Sequence, residues 1–111
     1  MNQYLKHDDW KIIEEGFTPA YNRASESIFS LGNGRMGQRA NFEESYSGDT
    51  LPGNYIGGIY YPDKTKVGWW KNGYPEYYAK VLNAPNWIGI HFQIDGHSLD
   101  LYQCGVKDFV R

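Results

Sequence analysis

The clearest periodic stretch lies near the end of the chain. From Trp87 the sequence runs Trp87-Ile88-Gly89-Ile90-His91-Phe92-Gln93-Ile94, so Ile88, Ile90, Phe92 and Ile94 fall on alternate positions. Alternation with period two is the mark of a strand with one face turned inward. Asp95-Gly96 follows, and Ser98-Leu99-Asp100-Leu101-Tyr102 alternates again. An Asp-Gly pair between two such stretches predicts an antiparallel hairpin. Upstream, Trp10–Phe17 mixes apolar and acidic positions and stops around Gly16, which predicts a short strand. Glu26–Leu31 (Glu-Ser-Ile-Phe-Ser-Leu) predicts a second strand, turned at Gly32-Asn33-Gly34, with 38–43 returning as its hairpin partner. Tyr55–Tyr61 predicts a strand in which Gly57 and Gly58 mark a bulge or a close backbone approach. Residues 76–82 suit either a strand or a helical turn, and residues 1–9 read as a polar arm.

Composition supports the same class. The 111 residues are 17% aromatic, with 10 Tyr and 4 Trp, and include 13 Gly and 5 Pro. Strands favour aromatic residues and turns favour Gly and Pro, so the chain is expected to be all-β. The fold expected is an antiparallel β-sandwich segment over residues 10–111, too short for a second domain. Charge narrows the function classes. Eleven basic and 13 acidic side chains give a formal net charge of −2, with no basic stripe for nucleic acid. The apolar runs are too short to cross a membrane, and the start lacks the apolar core of a secretory signal. The single cysteine, Cys104, cannot form an internal disulfide, and no Asn-x-Ser/Thr site occurs. A cytoplasmic setting is expected.

Several motifs invite a chemical reading. Gly32-x-Gly34-x-x-Gly37 matches a dinucleotide fingerprint in letters, but the segment after Gly37 has no helical period, so a β-turn is expected. Glu14-Glu15 and Glu43-Glu44 are adjacent carboxylates. Neighbours on a strand face opposite ways, so neither pair converges on one bond, and both are expected at the solvated surface. His91 and His97 share the last hairpin without a third ligand, and no metal site is expected. Cys104 has no local motif of a nucleophile. The aromatic stretch Trp69-Trp70-Lys71-Asn72-Gly73-Tyr74 is the strongest candidate. Its rings could stack on sugar faces while Lys71 and Asn72 bond hydroxyls, or they could pack beneath a neighbouring domain. The end of the chain, Asp108-Phe109-Val110-Arg111, is apolar without a polar tail and reads as an interior point of a longer chain.

The string Glu26-Ser-Ile-Phe-Ser-Leu-Gly-Asn-Gly-Arg-Met-Gly37, with Arg39-Ala-Asn-Phe-Glu-Glu44, closely resembles the opening of glycoside hydrolase family 65. Asn54-Tyr-Ile-Gly-Gly-Ile-Tyr60, Leu82-Asn-Ala-Pro-Asn-Trp-Ile-Gly89 and Ile94-Asp95-Gly96 follow in the family's order. Arg35-Met36 stands where many members carry an aromatic residue and a leucine. The resemblance implies disaccharide phosphorylases (maltose, trehalose, kojibiose, nigerose), with acid trehalases among the relatives. It implies a much longer chain: an N-terminal β-sandwich, a helical linker and an (α/α)6 catalytic barrel. The phosphorylases invert. A glutamic acid protonates the glycosidic oxygen while inorganic phosphate, the co-substrate, attacks the anomeric carbon and yields β-glucose 1-phosphate; the hydrolases use a base and water. Those groups belong to the barrel, so no catalytic residue and no cofactor is assigned to this chain. By the resemblance its partners are the barrel of the same chain and a second copy in a homodimer, with Trp69, Trp70, Lys71, Asn72 and Tyr74 as the candidate sugar or interdomain contact. A free-standing carbohydrate-binding module, or a segment of a family 65 hydrolase, is the alternative.

Overall fold

The computed structural model describes residues 4–65 and 75–111. Its regular structure is mostly short antiparallel strands, joined by turns and irregular chain. Strand β1 (Leu5–His7) pairs with β2 (Ile12–Glu14), in the register Leu5 opposite Glu14 and His7 opposite Ile12. Part of the polar stretch 1–9 is therefore paired strand. A 3-10 turn at Pro19–Tyr21 runs into α1 (Asn22–Ile28), the single α-helix among the described residues. Strands β3 (Leu31–Gly32), β4 (Met36–Gln38) and β5 (Asn54–Ile56) form a three-stranded sheet in that order. Two hairpins complete the chain: β6 (Tyr60–Lys64) with β7 (Tyr77–Val81), and β8 (Gln93–Ile94) with β9 (His97–Ser98).

Turn chemistry accounts for the hairpins. Gly34 sits at φ +83, and the Asn33 side chain accepts from the Arg35 and Met36 amides at 3.0 and 2.8 Å. An asparagine side chain and a left-handed glycine close a tight turn in this way. Asp95 and Gly96 both have positive φ, at 49 and 80, as the two central residues of a mirror-type turn require. The strand expected over Tyr55–Tyr61 is broken in two at Gly57-Gly58. The Gly57 amide donates to the Arg35 carbonyl at 2.6 Å, and Gly58 has φ +83. The close approach and the left-handed turn together redirect the chain out of the β3–β4–β5 sheet.

Two expectations are corrected. Glu26–Leu31 is not a strand: residues 22–28 are helical, and only Leu31 enters β3. Pro19 supplies a helix-compatible φ at the start of the preceding turn. Burial of the polar side of α1 then outweighs the weak strand pattern of Ile28, Phe29 and Leu31. The last hairpin is also shorter than its pattern. Ile90 makes one parallel bridge to Glu44, and ladder pairing is confined to residues 93–94 and 97–98. Ile90, Phe92 and Ile94 stay open to solvent, Phe92 44% and Ile94 67% exposed, while Ile88, Leu99 and Leu101 are half-buried.

Among the described residues no apolar side chain is fully buried; the buried polar side chains are Glu14, Asn22, Ser25, Glu26, Asn41 and Asn54. The apolar packing that exists is a half-buried aromatic cluster. Phe17 and Phe109 lie 5.4 Å apart between ring centres, Phe42 and Tyr46 5.0 Å, and Tyr46 and Tyr102 5.7 Å, all edge to face. Such pairs contribute about 0.5–1.5 kcal/mol each beyond the area they bury.

Candidate functional site

The best-organised side chains in the fold are polar. Glu26, on α1, is completely buried. One of its carboxylate oxygens accepts from the Asn22 side chain at 3.1 Å and from the Thr50 hydroxyl. The other accepts from the Leu51 amide at 2.8 Å and lies 3.7 Å from the Arg39 guanidinium. Arg39 in turn donates to the Leu51 and Arg23 carbonyls at 2.6 and 3.1 Å. The Glu26 carbonyl accepts from the Ala40 amide and the Ser30 hydroxyl. One residue thus ties α1 to two separate loops. Its oxygens are fully used and shut away from solvent. This carboxylate can brace a fold, but it cannot reach a substrate.

A second buried pair sits beside it. Glu14 and Arg111 exchange both backbone hydrogen bonds at 2.9 Å, and their side chains approach to 3.7 Å. Arg111 also donates to Asn22 at 3.2 Å and lies over the Phe42 ring, 4.6 Å from its centre. Burial pulls the Arg111 guanidinium below its usual value, and the nearby Glu14 and Glu26 charges oppose that shift. Glu14 therefore departs from its expected place at the solvated surface. The alternation argument itself holds, because Glu15 points outward and pairs with Lys6. Glu43 is exposed and Glu44 half-buried, and neither joins the Glu26 cluster.

The remaining sequence candidates separate. Trp69, Trp70, Lys71, Asn72 and Tyr74 lie outside the described residues. What is described is the ladder on either side of them: Lys64 opposite Tyr77, and the Thr65 amide donating to the Glu76 carbonyl at 2.9 Å. His91 bridges two hydroxyls, Ser45 on one ring nitrogen and Ser98 on the other, each at 3.3 Å. His97 belongs to β9, and the described residues contain no cluster of three metal-ligating side chains. Cys104 is an exposed free thiol. The Gly32–Gly37 motif is a hairpin leading into strand β4, not into a helix. It therefore lacks the helix N-terminus that a dinucleotide requires. No helix among the described residues is long and apolar enough to cross a membrane.

Two titratable groups outside the Glu26 cluster are displaced from their ordinary behaviour. Hydrogen bonds from Ser47 and the Tyr102 amide hold the Asp100 carboxyl below the usual carboxylate range. Burial, with Tyr102 and Asp49 nearby, pushes the Tyr46 phenol up. Both belong to the packing of residues 45–49 against 100–102.

Sequence reasoning missed Glu26 as a buried anchor. The only signal was its company: Asn22, Thr50 and Arg39 can each donate to a carboxylate, but nothing in one chain's sequence shows that they meet. Comparison with known proteins then decides the family. The model of the glycosyl hydrolase family 65 N-terminal domain matches residues 12–111. The chain belongs to this family. Across 98% of its length it is 54% identical to the maltose phosphorylase of Bacillus subtilis (strain 168). Across its whole length it is 31% identical to the kojibiose phosphorylase of Thermoanaerobacter brockii. It spans only 14% and 13% of those two relatives. A solved structure of a candidate kojibiose phosphorylase from the human microbiome superposes on 97% of this family 65 domain with a TM-score of 0.83, at 36% identity and over 14% of that chain. The all-β, antiparallel class read from the sequence is the class observed.

Proposed function

We propose that the chain is the non-catalytic N-terminal part of an inverting disaccharide phosphorylase acting on maltose. The observation that carries this is the 54% identity to a maltose phosphorylase over 98% of the chain, against 31% to a kojibiose phosphorylase. In this reading the general acid and the phosphate site lie in a catalytic barrel elsewhere in the same polypeptide. Maltose and inorganic phosphate give β-glucose 1-phosphate and glucose, and residues 1–111 serve domain packing and assembly of a cytoplasmic homodimer. Two features support a structural role. The most buried carboxylate, Glu26, is consumed by internal hydrogen bonds. The aromatic side chains of β6 are turned outward, with Tyr60 62% and Tyr61 58% exposed. The stretch Trp69, Trp70, Lys71, Asn72 and Tyr74 joins β6 to β7 and is proposed as a contact with the catalytic barrel.

The test is product analysis by NMR with the full-length protein. Maltose with phosphate is expected to give the β anomer of glucose 1-phosphate, with little turnover of kojibiose or trehalose. Glucose release that does not depend on phosphate would overturn phosphorolysis, and preference for kojibiose or trehalose would overturn the substrate.

A further inference from the structure

A cleft of about 340 Å³ lies between residues 41–46 and 86–91. Its size falls at the lower end of the ~300–1,000 Å³ typical of small-molecule sites. The two walls are tied together. The Ile90 amide donates to the Glu43 carbonyl at 2.6 Å, and Glu44 makes a parallel bridge to Ile90. Two side-chain amides in the walls have donors left over. Asn41 is only 8% exposed, and its oxygen accepts from the Gly53 amide at 3.3 Å. Its nitrogen has no partner among the described residues. The Asn86 oxygen accepts from the Asn54 side chain and the Ile88 amide, each at 3.2 Å, which fixes the group and leaves its nitrogen unpaired. Gly89 keeps that nitrogen open to the cleft, since a Cβ there would stand 2.9 Å from it. A buried side chain with a donor that lacks an acceptor is rare in a folded protein and points to a ligand.

We infer that this cleft is a binding site for a neutral sugar, one pyranose unit such as glucose. The site goes beyond the phosphorylase reading and does not depend on it. The set of donors and acceptors decides the ligand class. Glu43 and Glu44 line the cleft as acceptors, the first exposed and the second half-buried. His91 adds nothing, because its ring is committed to Ser45 and Ser98. Sugar hydroxyls both donate and accept, so one ring can bond the carboxylates and the Asn41 and Asn86 amides together. Phe42 and Tyr46 supply aromatic wall for its apolar face. Charge separates a neutral sugar from a sugar phosphate. No lysine or arginine lines the cleft, so a phosphate would meet two carboxylates with no cation to offset them.

The experiment is carboxylate footprinting on the full-length protein. Glu43 and Glu44 are coupled to glycine ethyl ester with a water-soluble carbodiimide and read by mass spectrometry, over a series of glucose concentrations. At twice the half-saturating concentration mass action leaves about one third of the sites empty, so labelling of both residues is expected to fall about threefold. Glucose 1-phosphate is expected to give no protection. Asn86→Asp keeps an acceptor for Asn54 and Ile88 but loses the amide donors. It is expected to raise the glucose concentration for half protection about tenfold. Labelling that no concentration of glucose slows would overturn the inference. Equal protection by glucose 1-phosphate would also overturn it, and so would protection that Asn86→Asp leaves unchanged, which would put the bound sugar elsewhere.

Discussion

Glu26 shows how a charged residue can hold a small β domain together. Its two oxygens collect donors from Asn22, Thr50 and Leu51, with Arg39 nearby. Removing such a carboxylate leaves several buried donors unpaired at once. Glu26→Ala is expected to lower the stability of the full-length protein by about 3 kcal/mol, read as a shift in its urea midpoint. A loss no greater than that of an exposed substitution would show that the network carries no weight. Asp100 gives a prediction with a sign. Its folded pKa lies below the ordinary value of 3.8, so it contributes stability that is present above that value and lost as pH falls through the folded pKa. Asp100→Asn keeps an acceptor for Ser47 and Tyr102 but cannot titrate. The acid limb of the urea midpoint against pH is therefore expected to flatten below about pH 4. At this scale little was legible in the letters. It showed that Glu14 and Glu15 face opposite ways. It did not show which of them is buried, because that depends on Arg111, far away along the chain.

Elements were easier to read than residues, and the reasons differ from one to the next. Hairpin turns carry local chemistry, so Asn33-Gly34 and Asp95-Gly96 could be placed from the letters alone. Helix α1 could not. Its pattern is too short to show a period, and it is held by the tertiary partners of Glu26 rather than by propensity. The alternation over Ile88–Ile94 was genuine as a pattern, yet it belongs to a face left open in these 111 residues and not to a buried strand. The β6–β7 hairpin stands alone as two strands, which is marginal in water. The aromatic stretch between its strands is therefore expected to matter for packing. If the full-length protein is the maltose phosphorylase proposed above, Trp69→Ala should lower its thermal midpoint while leaving KM for maltose within about twofold, since no uniform substrate binding is removed. A large rise in KM at an unchanged midpoint would instead place Trp69 on the sugar.

These 111 residues are extended for their length. Their radius of gyration is 18.1 Å, whereas a compact domain of this size has about 13 Å. Four small sheets and a polar interior explain the difference: the strands present apolar faces outward without a second layer against them. This agrees with a family 65 domain that spans 14% of a maltose phosphorylase related to it. The proposed function divides the labour, with structure in these residues and chemistry in the rest of the polypeptide. The most direct test measures glucose 1-phosphate formation from maltose and phosphate by two samples in parallel, the full-length protein and the 111-residue chain. Turnover by the first and none by the second is expected. Turnover by the 111-residue chain, or none by the full-length protein, would contradict it.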